Sequence, residues 1–189
     1  MSIVNMLRSF FDCAMSRKIV LYIYTTSSFA CLMLSFGGLP PLSEALRLLV
    51  AVTFAGYGVY FFNDLCDLKD DLKNFELGNP SQANRPLLKG TVSESHLIKF
   101  TCVSAFVGLV SALTLNLNVF FALALYLFLG FIYSQEPMRL KKRFVSKQLI
   151  TASGHSLTVL SGALVLGVIS APIIFLIACQ ITTADFIEI

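Results

Sequence analysis

Apolar residues along this chain gather into six runs, separated by short breaks and two longer polar connections. The first run extends from about Ile19 to Phe36, where Gly37-Gly38-Leu39-Pro40-Pro41 stops it, because neither glycine pairs nor proline continue a helix. The second covers about Leu46 to Leu65, the third Leu97 to Leu115, and the fourth Val119 to Tyr133. The fifth runs from about Leu149 to Ile169, and a sixth follows Pro172 to the C-terminus. Each is near the roughly 20 residues a helix needs to cross a bilayer. Ahead of them, residues 1–17 have the pattern of an interfacial amphipathic segment, with Leu7, Phe10 and Phe11 apolar and Arg8 and Arg17 basic. The pattern predicts an all-α, polytopic transmembrane helical bundle with about six spans.

Composition strengthens this expectation. Of 189 residues, 56% are hydrophobic and 13% charged, with a mean hydropathy of +0.78. A globular chain has roughly 45–50% and 25%. The net charge of +3 is too small to imply a nucleic-acid partner. Its basic residues sort by connection instead. Arg8, Arg17 and Lys18 precede the first run; Lys69, Lys73, Arg85 and Lys89 follow the second; Arg139 to Lys147 follow the fourth. The alternate connections Gly37–Glu44, Asn116–Asn118 and Ser170–Pro172 carry neither Lys nor Arg. Positive charge stays on the cytoplasmic side, so the N-terminus and both long loops are expected there. No small-residue cleavage site follows the first run, and no removable signal peptide is expected. The five cysteines lack metal-ligand spacing and read as small apolar residues.

The second run ends in the chain's most unusual stretch, where Asn63, Asp64, Asp67, Asp70 and Asp71 fall within nine residues. On a continuing helix, Asp64, Asp67 and Asp71 lie at i, i+3 and i+7, with Asn63 one turn before Asp67. One amide and three carboxylates then share a stripe. Such a stripe is either a solvated acidic helix end or a cation site, and its hard oxygens suit Mg²⁺, which completes its shell with water and substrate phosphate. Asp70 points off the stripe and is expected to be solvated. Ionisable residues at the edge of a span mark a functional site by default. Carboxylates on one wall, basic loops over the mouth and apolar helices below would suit an amphiphile with an anionic head and a hydrocarbon tail, such as an isoprenyl diphosphate. His96 and His155 have no partner at metal-ligand spacing. Lys142 and Arg143 read as topology determinants, the Phe-rich fourth run as packing or lipid-facing surface, and Gly56, Gly58, Gly108, Gly154, Gly162 and Gly167 as sites of close helix packing.

Three motifs in order carry a resemblance. Asn63, Asp64, Asp67 and Asp71 form N-D-x-x-D-x-x-x-D; Arg85, Pro86 and Gly90 form R-P-x-x-x-G; Tyr133, Ser134, Pro137, Arg139, Leu140 and Lys141 form Y-S-x-x-P-x-R-L-K. This set resembles the UbiA superfamily of membrane prenyltransferases and covers most of the chain. The resemblance implies a bundle of nine transmembrane helices and Mg²⁺-dependent transfer of a prenyl group from an isoprenyl diphosphate to an aromatic or lipid acceptor. It implies that Asn63, Asp64, Asp67 and Asp71 are metal or metal-water ligands and that Asp64, Asp67, Asp71 and Arg85 are catalytic. Arg85 would hold diphosphate together with Arg139 and Lys141, and Tyr133 would line the site. The Y-S-x-x-P-x-R-L-K loop is more similar to branches acting on chlorophyllide, homogentisate or glyceryl phosphate lipids than to the 4-hydroxybenzoate branch.

The family's second acidic motif, D-x-x-x-D, has no match here, since Asp185 and Glu188 differ in spacing and position. Residues 1–189 therefore correspond to the N-terminal two-thirds of the family's membrane domain, as a fragment or a truncated member. Phe75–Gln82 resembles an insertion between the first two motifs. Two rival readings accompany the enzyme: a non-catalytic homologue that binds prenyl lipid or a full-length partner, and a cation-binding carrier. CDP-alcohol phosphotransferases are set aside because D-G-x-x-A-R is absent.

Overall fold

The computed structural model describes residues 3–78 and 85–187. All regular structure among them is helical: α1 (Ile3–Ser16), α2 (Lys18–Phe36), α3 (Leu42–Glu76), α4 (Glu94–Leu113), α5 (Leu117–Ser134), a 3-10 turn at Leu140–Lys142, α6 (Phe144–Leu164) and α7 (Ala171–Ile187). A helix thus stands at each of the six apolar runs. Among the described residues α3, α4 and α5 are each long and apolar enough to cross a membrane, and α1 with α2, bent by 75°, would make a fourth. The chain is a multi-pass integral membrane protein.

Local sequence sets where these helices stop. Gly37 adopts φ +67° after α2, and the Gly37 and Gly38 amides donate to the Leu34 and Met33 carbonyls at 3.3 and 3.1 Å. This closure needs a left-handed residue, which glycine supplies without a Cβ penalty. α6 begins and ends about five residues before the expected Leu149–Ile169. Phe144 starts it directly after Arg143, and Gly167, at φ +69°, lies in the turn beyond its end. A Cβ at Gly167 would meet nothing within 4 Å, so this glycine serves the turn and not helix packing. Asn116 caps α5, its Oδ1 accepting from the Val119 amide at 2.9 Å while its Nδ2 donates to the Leu164 and Val165 carbonyls at 3.0 Å. One side chain therefore satisfies the start of α5 and the end of α6. Asn116→Ala is expected to lower stability by about 2 kcal/mol, read by thermal unfolding in detergent. Asn116→Asp, which keeps the capping oxygen, should recover part of the loss.

Glycine lets helix backbones approach each other at Gly108 and Gly162. A Cβ on Gly108 of α4 would lie 2.6 Å from the Ala55 nitrogen of α3, and one on Gly162 of α6 would lie 2.1 Å from the Ser28 carbonyl oxygen of α2. The central core is Leu21, Tyr24, Leu32, Leu48, Val52, Leu123 and Tyr126, buried between α2, α3 and α5. α1 is pinned separately: Phe10 meets Phe54, Tyr57, Phe61 and Phe100 at ring separations of 5.3–6.3 Å. Its Val4, Leu7 and Phe11 remain exposed.

Candidate functional site

α3 runs unbroken from its apolar half through Asn63, Asp64, Asp67 and Asp71, so the stripe exists as helical spacing requires. Asn63 joins the end of α5 to it. Its Oδ1 accepts from Ser134 Oγ at the end of α5 (2.9 Å) and from Lys141 Nζ (3.0 Å), while its Nδ2 donates to Asp67 Oδ2 (3.0 Å). An amide can accept from a cation and donate to a carboxylate at the same time. An aspartate here would repel Asp67.

Four basic side chains from three separate segments meet the aspartates. Arg17, between α1 and α2, forks onto Asp64 through Nη2 and through Nε at 3.3 Å. Arg85 pairs with Asp71 and stands 3.5 Å from Asp64. Arg139 reaches Asp67 at 3.1 Å, Asp70 at 2.6 Å and Glu136 at 3.2 Å, and Lys141 pairs with Asp67. Asp64 and Asp71 are both buried. Burial pushes the Asp71 carboxyl above the usual carboxylate range, and Arg85 pulls against it. Burial disfavours the Arg139 charge, but Glu136, Asp67 and Asp70 more than offset it and hold the guanidinium protonated. Arg139 also adopts φ +32°, ψ +57°, a left-handed conformation that costs a non-glycine residue about 1–2 kcal/mol. Its amide donates to the Gln135 carbonyl at 2.7 Å, beside the cis Glu136–Pro137 bond. Arg139→Gly should therefore leave the protein about 1 kcal/mol more stable than Arg139→Ala in thermal unfolding, since both lose the ion pairs and only one keeps the strain.

Below this charged layer lies a cavity of ≈ 230 Å³. Arg17, Asn63, Asp67, Tyr133 and Lys141 line its polar part; Tyr24, Val59, Tyr60, Tyr126, Leu129 and Ile150 are among its less polar walls. Val59 also borders an apolar pocket of ≈ 170 Å³ on the other side of α3, with Phe62, Leu127 and Phe131.

All eight residues singled out from the sequence, Asn63, Asp64, Asp67, Asp71, Arg85, Tyr133, Arg139 and Lys141, thus come to one end of the bundle. Asp70 is half-exposed as expected, yet it is ion-paired to Arg139. Arg17 was anticipated only as a flanking charge. No local pattern marks it, because its partner Asp64 lies 47 positions further along the chain. The Phe75–Gln82 insertion falls partly outside the described residues, as do the side chains of Asp185 and Glu188.

Among the described residues, no three acidic, histidine or cysteine side chains converge closely enough to hold a metal on their own. The donors are nonetheless hard oxygens, the set that fits Mg²⁺ when a substrate phosphate completes the shell.

The fold has solved counterparts. A UbiA homologue from Archaeoglobus fulgidus bound to GPP and Mg²⁺ superposes with a TM-score of 0.73 at 19% identity, over 96% of this chain and 61% of that one. The Archaeoglobus fulgidus homologue bound to DMAPP and Mg²⁺ gives 0.76 at 20%, over 94% and 61%. A structure of digeranylgeranylglyceryl phosphate synthase gives 0.74 at 19%, over 95% and 60%. The chain thus spans about three-fifths of the length of these proteins. No curated protein matches it by sequence. Residues 23–187 match the model of the UbiA prenyltransferase family, and the chain belongs to that family.

Proposed function

We propose that this end of the bundle binds an isoprenyl diphosphate together with Mg²⁺ and supports transfer of its prenyl group to an acceptor within the membrane, from the cytoplasmic side. The observation that carries this reading is the charged layer itself. Four aspartates and four basic side chains neutralise one another over a cavity whose lower walls are largely apolar. Asn63, Asp64, Asp67 and Asp71 would hold Mg²⁺, which would add positive charge beside the diphosphate oxygens. With those carboxylates engaged by metal, Arg17, Arg85, Arg139 and Lys141 would be free to pair with the diphosphate. They stabilise the electron pair it takes when its bond to the allylic carbon breaks. The allylic carbon then bonds to an aromatic or lipid acceptor, which gives up a proton to the departing diphosphate, with the apolar walls excluding water.

This exchange predicts that metal and donor bind together. Calorimetry of the purified chain in detergent, with geranyl diphosphate and Mg²⁺ offered singly and jointly, tests it alongside prenyl transfer to a panel of acceptors. Mutual enhancement with product formation supports the enzyme. Enhancement without product supports a prenyl-lipid-binding homologue. Mg²⁺ binding indifferent to the diphosphate would remove both.

A further inference from the structure

A prenyl tail needs no hydrogen-bonding groups, yet three helices each bring one to the same point on the cavity wall. Tyr24 of α2 places its hydroxyl 2.8 Å from that of Tyr60 on α3 and 3.0 Å from Nε2 of His155 on α6. Tyr24 and His155 are buried, and their rings meet edge to face at 4.5 Å. His155 Nδ1 is also buried and has no hydrogen-bond partner among the described residues. Buried polar networks are costly and tolerate little rearrangement, so this one fixes the hydroxyls in place. Tyr24 and Tyr60 both face the cavity. Tyr60 precedes Asn63 by three residues on α3, about 4.5 Å along the axis, and the Arg17 guanidinium lies 5.5 Å from its ring centre. The network therefore sits one helical turn beneath the charged layer. That is where the carbon next to a bound diphosphate would lie.

We propose that His155 and Tyr24 are positioning residues that hold the Tyr60 hydroxyl to receive a hydroxyl group on the acceptor, setting that group beside the reacting carbon. The proposal rests on the prenyl-transfer reading for its purpose, but the binding it describes is independent of metal and donor. It is tested with phenol as the probe and anisole, which lacks the hydroxyl proton, as the control. The chain has only two histidines, so ¹⁵N-histidine NMR in detergent follows His155 with His96 as an internal reference. His96 lies apart, its Nδ1 2.6 Å from Ser93 Oγ.

Without Mg²⁺ or diphosphate, phenol should shift the His155 ring nitrogens saturably and leave His96 in place. Anisole should need at least about fivefold more for half-saturation, the loss of one hydrogen bond. Tyr24→Phe should abolish the phenol response. If that variant does not fold, Tyr60→Phe, which keeps the Tyr24–His155 contact, should respond alike to phenol and anisole. Equal responses in the unmodified chain, no response, or a response that survives both substitutions would overturn the proposal. Loss of Mg²⁺-dependent donor binding with an intact phenol response would overturn the donor reading alone. In turnover, Tyr60→Phe should raise the acceptor KM and leave the donor KM unchanged.

Discussion

Asp67→Ala is expected to weaken Mg²⁺-dependent binding of geranyl diphosphate by about 100-fold, the 2–3 kcal/mol of a charge-assisted contact. Asp67 is where the two halves of the site meet, taking the Asn63 amide from its own helix and Lys141 and Arg139 from the basic loop. Asp70 reaches that loop only through Arg139 and is more exposed, while Asp64 and Asp71 share Arg85 instead. The same substitution takes away the carboxylate that pairs with Lys141 and one of three that pair with Arg139, so diphosphate offered without Mg²⁺ should bind several-fold more tightly, as removal of a competing anion requires. Opposite responses in the two titrations separate this from misfolding, which would weaken both. Parallel losses would mean that Asp67 only holds the loop in place.

Gly162→Ala is expected to destabilise the bundle by about 3 kcal/mol, at the upper end of the overpacking range. The added carbon would fall 2.1 Å from the Ser28 carbonyl oxygen and 2.9 Å from the Leu32 nitrogen. Both are backbone atoms, which no rotamer change can move aside. Ser28 and Ser161 hydroxyls, 3.1 Å apart, tie α2 to α6 at this point, so separating the helices also breaks that contact. Alanine's better helix propensity, about 1 kcal/mol over glycine, does not offset a displaced helix. Gly154→Ala on the same helix is the control. Its carbon would lie 3.4 Å from the Tyr126 ring, an ordinary contact, and the propensity gain should dominate. Thermal unfolding of the two variants in detergent measures the difference, and equal midpoints would mean that α2 and α6 can part without cost.

Much of this was legible in the sequence because it is local or periodic. The apolar runs fix where helices form, and the spacing from Asn63 to Asp71 puts the stripe on one face once α3 is continuous. Motif order then brought Arg85, Arg139 and Lys141 to the same end. What escaped depends on contacts between distant positions. Arg17 has the same local surroundings as any flanking charge. Tyr24, Tyr60 and His155 are joined across 36 and 131 positions, a distance over which no spacing rule operates. α6 ends earlier than expected because the glycine at 167, counted among packing residues, serves a turn instead.

α3 is one rod of 35 residues, about 52 Å long at 1.5 Å per residue, well beyond the roughly 30 Å of bilayer hydrocarbon. It works as a ruler graduated in chemistry, where distance from the lipid mid-plane and compass bearing are fixed together by residue number. A single residue inserted between Asp64 and Asp67 would advance everything after it by 1.5 Å and swing it through about 100°, taking Asp67 out of register with Asn63. An added or deleted residue along this stretch would therefore undo the site as surely as a lost carboxylate, and the counting from 63 to 71 is as much a part of the site as the side chains.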